Sequence, residues 1–153
     1  MKYTVVTFNN RYQSAFRELN LEWIQKYFKI EKKDLEQVDN PQECLNGGGE
    51  IFFVLEGDLA VGTCAMYSMG PRHYELAKMA VNPAYRGQGL GDLLMQAAEK
   101  WAFQKGCDEI HILSNTILEP AIALYKKHGY ETIHLGTHPD YERCNIEMRK
   151  FLS

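Results

Sequence analysis

The chain has 153 residues, a length typical of one domain with its own hydrophobic core. Hydrophobic residues make up 45% of it and charged residues 24%, a globular balance that excludes an intrinsically disordered chain. The formal net charge is -3 and the lysines and arginines are spread along the chain, which argues against nucleic acid as the main partner.

The apolar stretches of the sequence are too short for a secretion signal or a membrane span. Met1 to Phe8 is shorter than the apolar region of a signal peptide, and polar residues follow it at once. The longest near-apolar run, Leu59 to Gly70, falls short of the roughly 20 residues that cross a bilayer. We therefore expect a cytoplasmic protein without a membrane partner.

The cysteines and histidines predict neither a disulfide framework nor a metal site. The cysteines are far apart, form no Cys-x-x-Cys pair and are expected to be reduced, mostly buried thiols: Cys44, Cys64, Cys107 and Cys144. His134 and His138 have a spacing that would suit one helical face, but Gly136 and Pro139 disfavour a helix there. We expect no metal cofactor.

The first third of the chain predicts a strand followed by helices. Tyr3 to Phe8 is rich in β-formers and predicts a strand. Gln13 to Tyr27 carries apolar residues at helical spacing and predicts an amphipathic helix. Lys32 to Val38 predicts a short second helix that ends before Pro41, and Asn46 to Gly49 predicts a loop.

Three apolar runs then predict an antiparallel meander. Ile51 to Leu55 and Leu59 to Tyr67 are separated by Glu-Gly-Asp, a tight-turn composition, so they are expected to form a hairpin. Tyr74 to Val81 predicts the third strand, which stops before Pro83 because proline cannot donate to a β-ladder.

The rest of the chain alternates helices and strands. Leu90 to Ala102 has apolar residues at a 3.6-residue period and predicts a long helix, and Glu109 to Ser114 predicts a strand. Pro120 to His128 predicts another helix, and Tyr130 to Leu135 and Asn145 to Phe151 predict two last strands. The element order predicts a mixed α/β sheet covered by helices.

The loop before the long helix has the residue types of an anion site. Arg86 to Gly91 contains three glycines at alternate positions, which let a ligand approach the backbone closely. The first amides of the following helix lack internal partners, and the helix dipole is positive there. The loop matches neither a Walker A loop nor the Gly-x-Gly-x-x-Gly dinucleotide pattern. It predicts a phosphate-bearing ligand, with a plain glycine-rich turn as the alternative.

Two segments resemble a known family. The run from Glu75 to Met95, ELAKMAVNPAYRGQGLGDLLM, resembles the acyl-coenzyme A motif of the GNAT superfamily of N-acetyltransferases, and Arg86, Gly89 and Gly91 fill its signature Gln/Arg-x-x-Gly-x-Gly/Ala. Ser114 to Tyr130 is similar to the second half of that site. The resemblance implies one N-acetyltransferase domain over residues 1–153. It also implies an α/β (α+β) fold, with a mixed, mostly antiparallel sheet of about seven strands flanked by about four helices.

The resemblance also implies how acetyl-CoA, the expected co-substrate, is bound. The backbone of Met79, Ala80 and Val81 would pair with the pantetheine arm, with the Met79 N–H facing the thioester carbonyl. Asn115 would hydrogen-bond the pantetheine, and the helix at Ala121 would complete the site. The pyrophosphate would be held beside Arg86 by Gly87, Gln88, Gly89, Leu90, Gly91 and Asp92.

Tyr125 and Glu75 are the catalytic residues that the resemblance implies. A phenol of pKa about 10 can protonate a leaving thiolate of pKa near 8.5, although Tyr125 would also suit a core aromatic. An alkyl ammonium is neutral in about one of 2,500 molecules at pH 7, so a base must help. Glu75 lies where some histone-type members carry a glutamate base, whereas other relatives use water. His73 and His111 are weaker candidates.

These features predict an N-acetyltransferase that passes an acetyl group to a primary amine of a small molecule or peptide, by direct attack in a ternary complex. The alternatives are a non-catalytic acyl-CoA-binding regulatory domain and a module whose loop binds any anion. Trp23, Tyr27 and Phe28 are either core aromatics or part of the acceptor wall. The acceptor and the length of the acyl group stay open, and a homodimer is expected only by analogy.

Overall fold

A computed structural model describes residues 2–139 and 142–152. Its strands are β1 Tyr3–Thr7, β2 Glu50–Glu56, β3 Leu59–Ser68, β4 His73–Val81, β5 Glu109–Ser114, β6 Glu131–Leu135 and β7 Ile146–Phe151. Its α-helices are α1 Gln13–Tyr27, α2 Lys32–Asp39, α3 Pro41–Asn46, α4 Leu90–Gln104 and α5 Glu119–Lys127. This mixed architecture confirms the predicted fold class. None of the helices in the described ranges has the length and apolar character needed to cross a membrane.

The strands form one sheet in the order β1-β2-β3-β4-β5-β7-β6. Neighbouring strands are antiparallel except for β4 and β5, which are parallel. That parallel pair is short, because only His73–Glu75 of β4 and Glu109–His111 of β5 are in register. From Glu75 onward the two strands separate, and the sheet opens into two antiparallel sections joined at one end.

Helices cover both faces of the sheet. On one face, Leu94 of α4 and Tyr125 of α5 are buried in a cluster with Met66 and Leu76. On the other face, α1 packs Phe16 against Phe53 of β2, with the ring centroids 6.5 Å apart. The gap between β4 and β5 therefore lies between two packed helical layers.

A β-bulge distorts β4 where it borders the gap. Thr63 pairs with Ala80 and Ala65 with Ala77, so two residues of β4, Lys78 and Met79, oppose Cys64 of β3. Lys78 has a φ of 57°, in the left-handed region that lysine seldom occupies. A bulge leaves one residue out of the ladder and turns the strand locally, so this distortion redirects side chains at the wall of the gap.

The structure differs from the sequence prediction in one helix. Pro41 was predicted to end the second helix, but it lies in the first turn of α3, where its missing N–H costs nothing. The described residues therefore contain five α-helices instead of about four. The remaining elements begin and end within two residues of the predicted positions, and Gln13–Tyr27 has the predicted bounds.

Candidate active site

A cavity of about 500 Å³ occupies the gap between β4 and β5. One end is bounded by the glycine loop and the other by the end of α1, so it forms a passage across the edge of the sheet. Its wall includes most of the predicted site residues: Glu75, Met79, Ala80, Val81, Arg86, Gly87, Gly89, Leu90, Gly91, Asn115, Ala121 and Tyr125. The structure thus brings together the two segments that carried the family resemblance.

The glycine loop has the geometry of an anion site. Gly89 has a φ of 77°, and α4 begins directly after it. The first i to i−4 hydrogen bond of the helix runs from Leu93 N to Gly89 O at 3.2 Å. The amides of the three residues between Gly89 and Leu93 come before this bond, so they have no acceptor within the helix. A Cβ on Gly91 would lie 2.8 Å from Leu124 Cδ2, so glycine lets α4 pack closely on α5. Arg86 remains 43% exposed beside this helix start.

Two residues predicted to bind the pyrophosphate, Gln88 and Asp92, direct their side chains to other parts of the protein. Gln88 accepts a hydrogen bond from the Tyr3 hydroxyl. Asp92 lies 2.7 Å from His128 Nε2 and 3.0 Å from Lys127 Nζ, and hydrogen bonds from these two groups lower its pKa. Neither residue is part of the cavity wall. Any contact of Gln88 or Asp92 with the coenzyme would therefore involve the backbone.

The edge of β4 that faces the gap is free to pair with an extended ligand. Beyond Glu75 this strand has no register with β5, yet Met79 to Val81 and the end of β5 line the same cavity. Asn115, which follows β5, donates from Nδ2 to Arg143 O and accepts from Ile117 N at 2.9 Å. Its side chain thus fixes the turn at the cavity wall, and its bond to pantetheine stays a prediction.

Tyr125 lies in the wall of the cavity on α5. It is 6% exposed, and its ring meets that of Tyr130 edge-on at 6.3 Å. Burial raises the pKa of its phenol above the ordinary value, and the nearby Cys64 raises it further. The phenol therefore carries its proton at neutral pH, the state that a general acid requires.

Glu75, His111 and His73 form a row beside the cavity. His73 Nε2 lies 2.7 Å from His111 Nδ1, and His111 Nε2 lies 3.7 Å from Glu75 Oε1. Burial lowers the pKa of His111, and the charge of His73 lowers it further. The carboxyl of Glu75 therefore has an imidazole neighbour whose pKa is lowered, and Glu75 itself lies in the cavity wall.

An ion cluster that the sequence reading missed lies at the end of the cavity bounded by α1. Asp34 of α2 is fully buried and accepts two hydrogen bonds from the Arg143 guanidinium, one of them 2.6 Å long. Arg143 also donates to Glu31 at 3.1 Å, and Lys78 Nζ lies 3.4 Å from Asp34 Oδ1. Arg143 and Lys78 belong to the cavity wall. Two cations and two carboxylates thus meet beside the gap.

The pKa of Asp34 reflects this balance. Burial alone would raise it, but the hydrogen bonds from Arg143 and the Glu31 amide and the charge of Lys78 lower it overall. A carboxyl whose pKa is lower in the folded state stabilises the fold above its unfolded pKa of 3.8. That stabilisation is present at neutral pH and is lost as the pH falls through the folded-state pKa.

Comparison with known proteins places the chain in a family. The model of the acetyltransferase (GNAT) family matches residues 14–130, well over half of the chain. The chain belongs to the acetyltransferase (GNAT) family. This result confirms the resemblance that the two segments carried.

Individual GNAT relatives agree with this placement. A GNAT acetyltransferase from Staphylococcus aureus has the same fold, with a TM-score of 0.88 at 21% identity over 99% of both chains. YncA of Salmonella typhimurium, described as a structure with its cofactor acetyl-CoA, superposes with a TM-score of 0.80 at 14% identity, over 100% of this chain and 95% of that one.

Curated relatives match a smaller part of the chain. Acetyltransferase YE1169 of Yersinia enterocolitica is 29% identical over 125 residues, which are 78% of this chain and 84% of that protein. The uncharacterized protein ML0378 of Mycobacterium leprae is 38% identical over 87 residues, which are 55% of this chain. The chain spans only 23% of the length of that longer relative.

One feature of the sequence could have revealed the ion cluster. Lys78 interrupts the apolar run of β4 at a position where strand alternation predicts a buried side chain. A buried lysine needs a carboxylate nearby, which makes it a marker for a charged site. Its partner could not be read from the sequence, because Asp34 and Arg143 look like ordinary surface residues there.

We predict that Asp34→Asn destabilises the protein by about 3–5 kcal/mol, because it leaves Lys78 and Arg143 buried without their shared counter-ion. Urea unfolding followed by circular dichroism measures the change. Glu36→Gln on the same helix is the matched control, since Glu36 forms only an exposed pair with Lys32 and its loss should change stability by less than about 0.5 kcal/mol. Equal, small losses for both variants would show that the cluster is not a stability element.

Proposed function

We propose that the protein transfers an acetyl group from acetyl-CoA to a primary amine by direct attack in a ternary complex. One observation carries this proposal: a single cavity connects the anion site at the start of α4, the unpaired edge of β4, and the side chains of Tyr125 and Glu75. These are the parts that an acyl transfer needs, in the order in which a bound coenzyme would meet them.

The residues at the glycine loop fit the coenzyme pyrophosphate. Amides at a helix start and a nearby arginine bind phosphate through hydrogen bonds and charge together. The adjoining edge of β4, from Met79 to Val81, has the extended geometry that pairs with a pantetheine arm. Membership of the GNAT family and the acetyl-CoA complex of the Salmonella relative support acetyl-CoA as the co-substrate.

The bulge in β4 supports a role for the Met79 amide. An extra residue in one strand leaves a peptide group outside the ladder, where it can bond a ligand instead. In the proposed reaction this amide donates to the thioester oxygen as negative charge develops on it. The amine nitrogen attacks the carbonyl carbon, the carbon–sulfur bond breaks, and Tyr125 gives its proton to the departing thiolate. The nitrogen loses one proton as the amide forms, and a proton returned through solvent restores the Tyr125 phenol.

A direct attack agrees with the state of the cysteine at the cavity. Cys144 is part of the cavity wall, but burial raises the pKa of its thiol to about 11. Only the thiolate is a good nucleophile, and at neutral pH this cysteine is almost entirely a thiol. An acyl-enzyme intermediate on Cys144 is therefore disfavoured, and the acceptor amine is the nucleophile.

Glu75 supplies the base in this scheme. The acceptor arrives as an ammonium, and its deprotonation at pH 7 costs about 4.6 kcal/mol for a pKa of 10.4. Glu75 is 18% exposed at the cavity wall and stands beside a neutral His111, so its carboxylate can pair with the ammonium and accept its proton. Tyr125 thus protonates the leaving thiolate, and Glu75 deprotonates the attacking amine.

The proposed activity is tested by thiol release from acetyl-CoA in the presence of polyamines, amino acids, aminoglycosides and peptides. We expect amine-dependent thiol release with at least one class, and mass spectrometry should find the acetylated amine in equal amount. Tight coenzyme A binding without turnover of any amine would instead support the regulatory alternative. Absence of coenzyme binding would overturn the proposal altogether.

We predict that Tyr125→Phe lowers kcat by about 100-fold or more, because the leaving thiolate loses its proton donor. The affinity for coenzyme A, measured by calorimetry, should stay unchanged. Tyr130→Phe is the matched control, since Tyr130 is a buried neighbour that is not part of the cavity wall. An unchanged kcat in a folded Tyr125→Phe variant would remove the general acid.

We predict that Glu75→Gln lowers kcat/KM at pH 7 by about 100-fold, with a deficit that shrinks toward pH 10. The deficit shrinks because the acceptor amine loses its proton without a base as the pH approaches the amine's own pKa of about 10.4. The measurement is a pH profile of both enzymes. Glu131→Gln, a change on the exposed strand β6, should leave the profile as in the wild type. A parallel profile for Glu75→Gln would point to water as the base.

A further inference from the structure

Lys78 is a buried cation whose ammonium has one hydrogen-bond acceptor, Asp34, among the residues that the structure describes. Its side chain is 4% exposed, and its ammonium lies 3.4 Å from Asp34 Oδ1, a long contact. An ammonium has three N–H donors, and buried donors are normally bonded. Lys78 also belongs to the wall of the cavity. Its remaining hydrogen-bonding capacity is therefore available at the cavity.

The carboxylate beside Lys78 is already engaged by other groups. Asp34 accepts hydrogen bonds from both terminal nitrogens of Arg143 and from the Glu31 amide at 2.9 Å. The fork of an arginine matches a carboxylate in a bidentate pair, so Arg143 is its main partner. Burial lowers the pKa of Lys78 to about 8 in spite of the nearby carboxylate. Asp34 thus compensates the charge of Lys78 only partly.

The bulge directs Lys78 toward the acceptor end of the cavity. In a regular strand, successive side chains point to opposite faces of the sheet. Between Ala77 and Ala80 the bulge adds one residue to β4, and this extra residue interrupts the alternation. Lys78 consequently reaches α2, on the face covered by α1, and lines the cavity together with Glu75. Its left-handed backbone is the kind of local strain that is retained at functional sites.

Two opposite charges and an aromatic wall surround the acceptor end. Glu75 and Lys78 both line the cavity from β4, so one strand presents an anion and a cation to the same space. Trp23 and Phe28 form part of the wall, with their ring centroids 6.3 Å apart. Arg143 lies 5.8 Å from the Trp23 ring and holds that wall in place. A molecule with an ammonium, a carboxylate and an apolar portion would match all three.

We propose that Lys78 binds a carboxylate of the acceptor, so the substrates are amino acids and other amines that also carry a carboxylate. The inference deepens the proposed N-acetyltransferase activity and rests on it. The acceptor ammonium meets Glu75, and its carboxylate completes the hydrogen bonds of the Lys78 ammonium. A simple amine or a carboxamide leaves the buried Lys78 ammonium without this hydrogen-bond partner. The site therefore favours acceptors with a carboxylate over acceptors that lack one.

Binding of paired products tests this substrate class without relying on turnover. Wild-type protein saturated with coenzyme A is titrated calorimetrically with N-acetylphenylalanine and with its carboxamide, then with the same pair built on leucine. We expect each acid to bind at least 10-fold more tightly than its amide. Lys78→Met should abolish that preference without changing the affinity for coenzyme A.

The choice of variants keeps the result interpretable. Lys78→Met preserves the length of the side chain, and Asp34 remains paired with Arg143, so the variant leaves no isolated buried charge. Lys32→Met is the matched control, because Lys32 is 91% exposed on α2 and should leave the acid preference intact. Lys78→Arg, which retains the charge, should preserve part of the preference.

The outcomes separate this inference from the proposed function. Equal binding of acid and amide by the wild type, or binding of neither, would overturn the carboxylate site. Persistence of the preference in Lys78→Met would overturn the role of Lys78. If phenylalaninamide or phenethylamine is acetylated as well as phenylalanine, the acetyltransferase activity stands and the carboxylate inference fails. If the acids bind through Lys78 but no amine is acetylated, the carboxylate site stands and the acetyltransferase activity fails.

Discussion

The short parallel contact between β4 and β5 is the constraint on which the site depends. These strands share only three register positions, and each then continues with a different neighbour. Because they diverge, one edge of β4 beyond Glu75 has no strand partner in the described part of the chain. Strand edges buried in a protein normally need partners, so this edge is suited to a ligand that extends along it. The cavity lies in this opening, and in the proposed reaction it holds the coenzyme at one end and the acceptor at the other.

The charges around the opening divide it into two regions. At the glycine loop, the first amides of α4 and the guanidinium of Arg86, which lies 3.8 Å from Glu22 Oε1, suit phosphate groups. At the other end, Glu75 and Asp34 stand close to Lys78 and Arg143, so the net charge is small while the local fields are strong. In the proposed reaction, the coenzyme is recognised at one end by its total charge, and the acceptor at the other by the position of its charges.

Local patterns in the sequence located the glycine loop and β4, and the family resemblance added Tyr125. The structure brings these three to the wall of one cavity, while their contacts with a coenzyme stay a prediction. The acceptor half depends on contacts between residues far apart in the chain, since Asp34 and Arg143 are 109 positions apart. Such contacts arise from packing, and no local pattern predicts them. The same reason explains Gln88 and Asp92, whose side chains turn away to Tyr3 and to the end of α5.

Arg143 connects the two halves of the site. Its guanidinium binds Asp34 at the acceptor wall, while its backbone oxygen accepts a hydrogen bond from Asn115, at the coenzyme side of the opening. A displacement of Arg143 would therefore disturb both walls together. Asp34 also contacts Lys78. The position of the Lys78 ammonium therefore depends, through Asp34 and Arg143, on the turn at Asn115. The two walls of the cavity are therefore linked through one arginine and the buried carboxylate that it binds.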